Sequence, residues 1–513
     1  KNHTQSKSIM DRSNNMRQHK RLLLAATTIA LASLYGCGGG DDTTINYEGP
    51  TAGTGTGGAP VVGGGDAPVI GGASTCPDWI SLSRSQLDGV NVCQLPERIL
   101  ESHVLTRDII WYMNGTVKVG NGDADMSATP GQLADTTAVV NATLAIESGT
   151  QVVGEEGSFA NLVITRGSKI DAIGTADEPI VFSSSDAGID GSGEWGGVIL
   201  HGYGVHNKCI AAPGPCNVDS EGNSGKAGGY DNTDSSGRMR HVIITEGGYE
   251  FSSGNEINGL SLVAVGSGTE ISYIQVNSNA DDGVEFYGGD VNAKYLVLTG
   301  NRDDSVDWDE GWQGNLQYVL VIQDDAATTG GNAIEADTEG SLDLGIYSTP
   351  AIANATFVGG GETDTLWVFK KSSGGFLLNT LGAFADDTQF PTGEPKDTKC
   401  VEVQDAGSEV NIGNGRLDFN NVIIGCEAFG NDVNDDLLND ATVSLLDPQL
   451  DINYAAQAPE ASGVDLNVAG FNAGNAASTA DADFFDETNY IGAVDPAITG
   501  DAWFAGWTIE GSL

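Results

Sequence analysis

The chain has 513 residues, of which 39% are hydrophobic and 72 are glycine, and its 71 acidic residues against 23 lysines and arginines give a net charge of −48. This length allows a large core, and so much glycine argues against a helical protein, so an all-β fold is expected. The negative charge argues against nucleic acid and anionic lipid as partners, while it suits calcium, a cationic surface or solubility alone.

The N-terminal region has the pattern of an exported protein. Residues 1–15 show no apolar periodicity and are interpreted as lying upstream of the true start, which we place at Met16, with Met10 as the alternative. Residues 16–36 join a basic segment to the apolar run 22–34, which is typical of a secretory signal peptide and is short for a membrane span.

The end of this signal, Leu34-Tyr35-Gly36-Cys37, resembles a bacterial lipobox. The resemblance implies a lipoprotein in which Cys37 is lipidated, with palmitate, and becomes the mature N-terminus. Because the residue after Cys37 is Gly38 and not aspartate, the resemblance also implies that the protein lies at the outer membrane or cell surface. The alternative to a lipobox is an ordinary signal peptide or a transmembrane anchor. Residues 37–75 are rich in glycine and poor in large apolar side chains, so a flexible tether is expected.

Six further cysteines form three local pairs along the chain, and we expect each pair to be a disulfide, although other connectivities stay open. The pairs are Cys76 with Cys93, Cys209 with Cys216, and Cys400 with Cys426. None has the CxxC spacing of a zinc site, and the chain has only six histidines. The pairs therefore indicate an oxidising, extracytoplasmic compartment.

The remainder divides into three parts. We predict that residues 76–134 cap the open end of a solenoid, that residues 135–430 form its rungs, and that residues 431–513 add the last rungs and a C-terminal cap. Long insertions interrupt the rungs at 202–237, 324–332 and 382–399. Such loops gather on one face of a solenoid, which is often the binding face.

The segment 271–311 repeats on itself at an offset of 22 residues. Tyr273 recurs as Tyr295, and Val284-Glu285-Phe286 recurs as Val306-Asp307-Trp308. A looser third copy follows, with Tyr318 at 23 residues after Tyr295 and Ile334-Glu335-Ala336 at 28 residues after Val306-Asp307-Trp308. This period, with Gly, Asn and Asp at the corners, predicts a coil of stacked parallel strands.

Strand alternation assigns the side chains of this repeat to two faces. The apolar members, Val284, Phe286, Val306, Trp308 and Ile334, are expected to point into the coil. The acidic members, Glu285, Asp307, Asp309, Glu335 and Asp337, are expected to form an outward column. Like charges about 4.8 Å apart repel one another, so something should relieve the cost of this column.

Calcium is the cation that we predict at these acids. Because calcium to oxygen distances are about 2.4 Å, one ion could bridge two rungs. The predicted ligands are Asp281, Asp282, Asp303, Asp304 and Asp307. The alternative is that these aspartates hydrogen-bond backbone groups at the corners and sustain tight turns.

Tyr273, Tyr295 and Tyr318 have the opposite parity to their apolar neighbours, which predicts an aromatic column on the outside of the coil. Outward rings could stack on sugars, but we expect an insertion to cover them.

Four segments of the body are distinctive: LVITRGSKIDAIGTADEPIVFSS, GEWGGVILHGYG, RHVIITEGGYEFSSGNEINGLSLVAVGSGTEISYIQVNSNADDGVEFYGG and DFFDETNYIGAVDP. They resemble a widespread group of bacterial exported β-helix lipoproteins, over roughly residues 140–513. The resemblance implies a right-handed parallel β-helix at the cell surface. Because that group has no settled activity, it implies no particular chemistry.

An enzyme on this scaffold is one alternative. In lyases with parallel β-helices, calcium binds an acidic sugar and a basic residue removes a proton. The candidate bases are Lys294, Arg302, Lys370 and Lys371. Nearby carboxylates would raise a lysine pKa, which disfavours that role.

A glycoside hydrolase would instead use paired carboxylates, for which Glu285, Asp307 and Asp309 are candidates. The histidines offer no evident triad and are interpreted as turn or loop residues; they are His201, His206 and His241. The catalytic residues of either enzyme therefore stay unknown.

The preferred interpretation is a lipid-anchored, extracytoplasmic β-helix protein that is not an enzyme, binds calcium, and holds a glycan or another protein at the cell surface. A polysaccharide lyase or glycoside hydrolase is the first alternative. An accessory lipoprotein of an outer-membrane transporter is the second, and nothing in the sequence separates it from the preferred function.

Overall fold

The computed structural model describes residues 75–513 with gaps, and the account below concerns the described residues. The gaps are 88–89, 210–213, 252–255, 324–330, 340–344, 361–362, 364, 385–398, 427–442, 446–483, 489, 496 and 499. The predictions of an upstream segment, a signal peptide, a lipidated Cys37 and a tether fall on residues 1–74 and lie outside the described residues. The described residues all belong to one compact unit, Ile45–Leu513.

Short strands form two long sheets that share one coil. The ten-stranded sheet comprises β3 (Arg98–Ile99), β6 (Val117–Val119), β9 (Leu162–Ile164), β12 (Val198–His201), β16 (Leu260–Val265), β18 (Val284–Gly289), β20 (Val306–Asp309), β22 (Ile334–Ala336), β24 (Thr365–Phe369) and β26 (Lys399–Val403). Its neighbouring strands pair in parallel throughout, as strands of successive rungs do in a solenoid.

The second sheet has sixteen strands. They are β1 (Leu82–Leu87), β2 (Val90–Gln94), β4 (His103–Leu105), β5 (Ile109–Met113), β7 (Thr143–Ile146), β8 (Gln151–Gly154), β10 (Lys169–Ile173), β11 (Ile180–Ser184), β15 (Gly237–Thr245), β17 (Glu270–Asn277), β19 (Asn292–Thr299), β21 (Asn315–Ile322), β23 (Ala351–Gly359), β25 (Gly375–Phe384), β27 (Leu417–Gly425) and β28 (Val443–Leu445). An antiparallel ribbon, β13 (Val218–Asp219) with β14 (Lys226–Ala227), a single 3-10 turn (Glu221–Asn223) and one helix, α1 (Ala406–Gly413), complete the described elements.

The long strands from β15 onward bend once, at a residue with a left-handed backbone. The φ values at this bend are 48° at His241, 54° at Tyr273 and 61° at Tyr295. On one side of its bend β15 pairs with β10, and on the other side it pairs with β11. One bent strand therefore spans two sides of the coil, and the ten-stranded sheet supplies the third.

The interior of the coil is filled by the apolar residues that the alternation pattern assigned to it. Val284, Phe286, Val306, Trp308 and Ile334 all lie in the main buried core, which confirms the predicted facing of β18, β20 and β22. Burying such a side chain stabilises the fold by about 1.5–3 kcal/mol. The fold class predicted from the sequence, an all-β parallel β-helix, is thereby confirmed.

The two ends of the body combine parallel strands with other elements. The segment predicted as an N-terminal cap contains the antiparallel hairpin β1–β2, but β2 also pairs in parallel with β5, so the parallel ladder begins inside it. In the segment predicted as C-terminal rungs and cap, β28 adds one strand to β27. The described part of residues 484–513 holds no strand and packs along the outside of the coil. We call residues 484–513 the C-terminal strap.

The three predicted disulfides form, which confirms the pairing inferred from spacing. The Cα to Cα distances are 5.7 Å for Cys76–Cys93, 5.3 Å for Cys209–Cys216 and 5.7 Å for Cys400–Cys426. Among the helices of the described residues, none has the length and apolar content that crossing a membrane requires.

The predicted aromatic column is present, and the strap covers it. Tyr273 stacks on Tyr295 with ring centroids 4.3 Å apart, and Tyr295 stacks on Tyr318 at 4.7 Å. Trp503 meets Tyr295 edge-on at 5.3 Å, and Trp507 meets Tyr273 at 6.1 Å. The expected cover is therefore correct, but the covering element is the C-terminal strap and not an insertion. A column that the strap covers is not a free surface for sugar.

Candidate metal centre

The acidic column lies on the outer face of the ten-stranded sheet. Glu285 pairs in register with Asp307, and Asp307 with Glu335, on three successive parallel strands. Val368 follows Glu335 in the same register and interrupts the column, and Glu402 lies one strand further on. Because neighbouring strands are about 4.8 Å apart, each carboxylate lies directly beside the next.

The column faces outward as predicted, but it is not exposed. Glu285 and Asp307 are each only 8% exposed. The 202–237 insertion reaches this face, and its Glu221 accepts hydrogen bonds from Tyr287 Oη at 3.0 Å and from Asn258 Nδ2 at 2.8 Å. Asn258 Nδ2 also donates to Glu285. The predicted outward facing is therefore correct, and the burial of the column was not predicted, because a sequence repeat carries no information about what an insertion covers.

Arg166 fastens the insertion to the body. Its guanidinium is fully buried, and no carboxylate lies within ion-pair distance of it among the described residues. It donates instead to the carbonyl oxygens of Gly122, Ala124, Cys216, Ala227 and Gly228 and to Asn217 Oδ1. Burial lowers the pKa of Arg166 to about 10, so it stays charged at neutral pH. One side chain thus ties the N-terminal segment and the insertion to β9.

Three buried carboxylates meet beneath this cover. Asp282, Glu285 and Asp307 each offer a carboxylate oxygen, and these oxygens lie within 4.8 Å of one another. We call these three residues the buried trio. Within the described part of the chain, no lysine, arginine or histidine lies within ion-pair distance of any of them, and Asp307 Oδ1 accepts no hydrogen bond. A buried carboxylate oxygen without a partner is costly in a folded protein.

The electrostatics of the site follow from burial and crowding. Burial raises the pKa of Asp282, Glu285 and Asp307 well above ordinary values, and neighbouring carboxylates raise it further. At the part-buried margins the same two causes raise the pKa of Asp281 and of Asp309 to about 8. Without a cation the site therefore favours protonated carboxyl groups near neutral pH.

Among the described residues, the lysines that pair with the column lie at its far end. Lys371 Nζ lies 2.8 Å from Asp337 Oδ2 and 2.7 Å from Glu339 Oε2. Lys370 Nζ lies 2.5 Å from Glu335 Oε1. The acidic array is therefore asymmetric, with its lysines beyond Asp307 and none at the buried trio.

Two of the aspartates also accept backbone hydrogen bonds at corners of the coil, which is the role predicted from the sequence as the alternative to metal binding. The backbone N–H of Asp304 donates to Asp282 Oδ1 at 2.9 Å, and that of Asn332 donates to Asp304 Oδ1. These bonds join successive corners of the coil. Asp282 and Asp304 nevertheless each belong to a cluster of three carboxylates that could hold a metal ion. The same residue can therefore accept a backbone hydrogen bond and bind a metal.

The structure distributes the five predicted calcium ligands over overlapping groups. Asp281, Asp282 and Asp303 form one group, in which Asp303 is exposed. Asp304 and Asp307 form another, and its third member is Glu335. The buried trio joins the two groups, because it shares Asp282 with the first and Asp307 with the second.

Several residues around the site were not assigned a role by the sequence. Glu221, Asn258 and Tyr287 form one hydrogen-bonded network with Glu285. Glu221 lies 64 positions before Glu285 and outside the repeat, so the repeat does not predict its role. The one relevant signal in the sequence is the general expectation that insertions gather on the binding face.

The histidines do not form a catalytic triad in the described structure. His201 ends β12 and His241 lies inside β15, so the interpretation as turn or loop residues is wrong for both. His201 Nε2 lies 3.2 Å from the buried Ser224 Oγ, and burial lowers the pKa of His201 to about 3. His206, which does lie in a loop, contacts Glu310. These are buried structural contacts rather than a nucleophile with its base.

The candidate bases also have structural partners. Lys294 Nζ lies 2.8 Å from Asp486 Oδ2 of the strap. Burial lowers the pKa of Lys370, but its hydrogen bond to Glu335 and nearby carboxylates raise it more, so the net shift is upward. A lysine with a raised pKa stays protonated and is a poor general base.

The stacked parallel strands, with an acidic array covered by an insertion, define a parallel β-helix protein. The chain belongs to the family described as pectate-lyase like beta helix domain, whose model matches residues 132–508. No curated protein and no solved structure matches the chain. The family match agrees with the fold and leaves the activity open.

Proposed function

We propose that this protein binds calcium at the buried trio and is a non-enzymatic, lipid-anchored β-helix that holds a glycan or protein partner at the outer membrane. The observation that carries the proposal is Asp307, a buried carboxylate with one oxygen that accepts no hydrogen bond from the described residues. Ionising such a group is costly unless a cation lies beside it.

The donor set favours calcium over the other common metals. All three donors are carboxylate oxygens, whereas zinc prefers nitrogen and sulfur ligands. Two oxygens on one calcium ion are at most about 4.8 Å apart, because each lies about 2.4 Å from the metal. The oxygens of the buried trio lie within 4.8 Å of one another, so any two of them can bind one such ion. Magnesium keeps several waters, which suits a crowded buried site less well.

An ion at the buried trio would have a structural role. It would neutralise carboxylates contributed by two adjacent rungs and stabilise the face that Glu221 of the insertion covers. A partner would then meet the outer surface, where Asp303 is exposed. The predicted lipid on Cys37 and tether would hold this surface outside the cytoplasm, and three disulfides suit that compartment.

Thermal unfolding with and without calcium tests the proposal. Calcium at about 100 times its dissociation constant should add about 2.7 kcal/mol to the free energy of unfolding, and a chelator should remove this increment. Asp307→Asn should lose the increment. The matched control is Asp177→Asn, since Asp177 is exposed in the turn between β10 and β11. If wild type gains nothing from calcium and Asp307→Asn is more stable than wild type, the carboxylates only repel and the proposal is wrong.

A polysaccharide lyase is the second candidate, and the family match supports it. Lys370 interacts electrostatically with Asp307 of the buried trio, although its raised pKa argues against a base at neutral pH. Incubation with acidic and neutral polysaccharides, with and without calcium, distinguishes the candidates. Unsaturated products would establish the lyase, whereas retention of a polysaccharide without cleavage would favour the binding protein.

A further inference from the structure

Asp307 belongs to two carboxylate groups at once. It shares one group with Asp282 and Glu285, and a second with Asp304 and Glu335, and in each group the donor oxygens lie within 4.8 Å of one another. Its side chain is only 8% exposed, and its Oδ1 accepts no hydrogen bond in the described structure. A carboxylate has two oxygens and can therefore bind a cation on either side.

Unlike the buried trio, the second group has a cationic side chain beside it, which is Lys370. Lys370 Nζ lies 2.5 Å from Glu335 Oε1 and interacts electrostatically with Asp307 and with Asp303. Its backbone N–H donates to Ala336 O at 2.8 Å, which fixes Lys370 on the rung after Glu335. Lys370 therefore lies beside Glu335, where Val368 interrupts the acidic column.

We propose that Lys370 is a built-in cation that takes the place of a second metal ion at Asp304, Asp307 and Glu335. This inference rests on the proposed function, because it assumes that the buried trio holds the first ion. A divalent ion beside the ammonium group of Lys370 would be repelled, so the lysine limits the number of ions in the array. It also lowers the affinity of the first ion, since the positive charge of Lys370 interacts with Asp307 and repels that ion.

Lys371 provides a matched control one residue away. It has the same charge and lies on the same rung, but its ammonium group contacts Asp337 and Glu339, neither of which belongs to a group with Asp307. Replacing Lys371 removes one positive charge from the same surface and leaves Asp304, Asp307 and Glu335 unchanged. Because Asp337 and Glu339 form a separate carboxylate group with Asp309, an ion gained in this variant would lie at that group and not at the second position.

Manganese titration of the full metal-free chain tests the proposal, with Mn²⁺ as the probe because it binds oxygen sites and is visible by electron paramagnetic resonance. Lys370→Met should bind one Mn²⁺ more than wild type, with a spectrum of two coupled ions. It should also bind the first ion about tenfold more tightly. Lys371→Met should bind the first ion with the affinity of wild type, because Asp337 and Glu339 share no carboxylate group with Asp307. If Lys370→Met does not fold, Lys370→Gln, which keeps a donor for Glu335, replaces it.

An unchanged number of ions in the folded Lys370 variant would overturn the proposal, and so would an equally large gain in the affinity of the first ion in Lys371→Met. In either case the calcium site at the buried trio would stand if wild type binds Mn²⁺ and Asp307→Asn does not. The absence of Mn²⁺ binding in wild type and in both lysine variants would overturn the proposed function together with this inference.

Discussion

Glu285 and Asp307 are paired in register on two adjacent parallel strands, and both carboxylates are buried on the outer face of the same sheet. Like charges in this arrangement repel and lose their hydration, so the fold accepts them only if protons or cations neutralise them. No cationic side chain among the described residues lies within ion-pair distance of either one. This relationship leads to the predictions that follow.

The stability of the metal-free protein should fall as the pH rises from about 4 to about 8. Burial and neighbouring acids raise the pKa of Asp281 and of Asp309 from 3.8 to about 8, whereas both ionise near 4 in the unfolded chain. Between these values the folded state retains protons that the unfolded state has lost, so the free energy of unfolding decreases with pH. Denaturant unfolding at several pH values with a chelator measures this slope.

Calcium should reverse that trend, because it competes with the protons and binds the ionised carboxylates. The calcium increment should therefore be small at pH 5 and large at pH 8. The double variant Asp281→Asn, Asp309→Asn is the control and should show a shallower slope without metal. An equal calcium increment at both pH values would contradict this account of the site.

Arg166→Met should destabilise the protein by about 3 kcal/mol or more, because several buried carbonyl oxygens lose their donor. The insertion should also become a site of proteolysis, since Arg166 bonds to Cys216, Ala227 and Gly228 within it. Arg238→Met is the control: Arg238 forms a part-exposed ion pair with Asp171 at 2.8 Å, worth about 1 kcal/mol or less. Equal losses in the two variants would show that Arg166 does not anchor the insertion.

Trp507→Ala should loosen the C-terminal strap. Trp507 is buried, packs with Ile243 and Val297, and donates from Nε1 to Trp503 O at 3.0 Å. A buried tryptophan changed to alanine costs about 3–5 kcal/mol, and limited proteolysis should then cleave within the strap. Ile498→Ala, at a residue that is 43% exposed, should leave stability within about 0.5 kcal/mol of wild type. An intact strap in Trp507→Ala would mean that other contacts hold it.

Cys37→Ser should release the protein from the membrane fraction, because the lipid is the predicted anchor. Fractionation of cells that produce wild type or the variant measures this. A variant that still sediments with membranes and is released only by detergent would show that the anchor is not the lipid.

The sequence predicted the coil well because its signal is local and repeated. A period of 22 residues and strict alternation placed Val306 and Trp308 inside and Asp307 outside, and the register of β18 with β20 follows from the repeat. Spacing along the chain was also sufficient to pair the cysteines, because each partner is a near neighbour.

The sequence could not predict what covers the coil. Glu221 reaches Asn258 and Tyr287 through the fold of an insertion, and Trp507 reaches Tyr273 from a segment more than two hundred positions away. Neither contact has a periodic signal. The same limit explains why the burial of Asp307 was not predicted, and why the position of Lys370 beside Glu335 required the structure.

The most direct test of the account is anomalous diffraction from crystals of the full chain grown with Mn²⁺, which replaces calcium at oxygen sites. The account predicts an anomalous difference peak among Asp282, Glu285 and Asp307, at about 2.2 Å from carboxylate oxygens of all three. It also predicts that this peak disappears in crystals of Asp307→Asn. Saturating Mn²⁺ with no peak between these three side chains, or with a peak that persists in Asp307→Asn, would contradict the central claim.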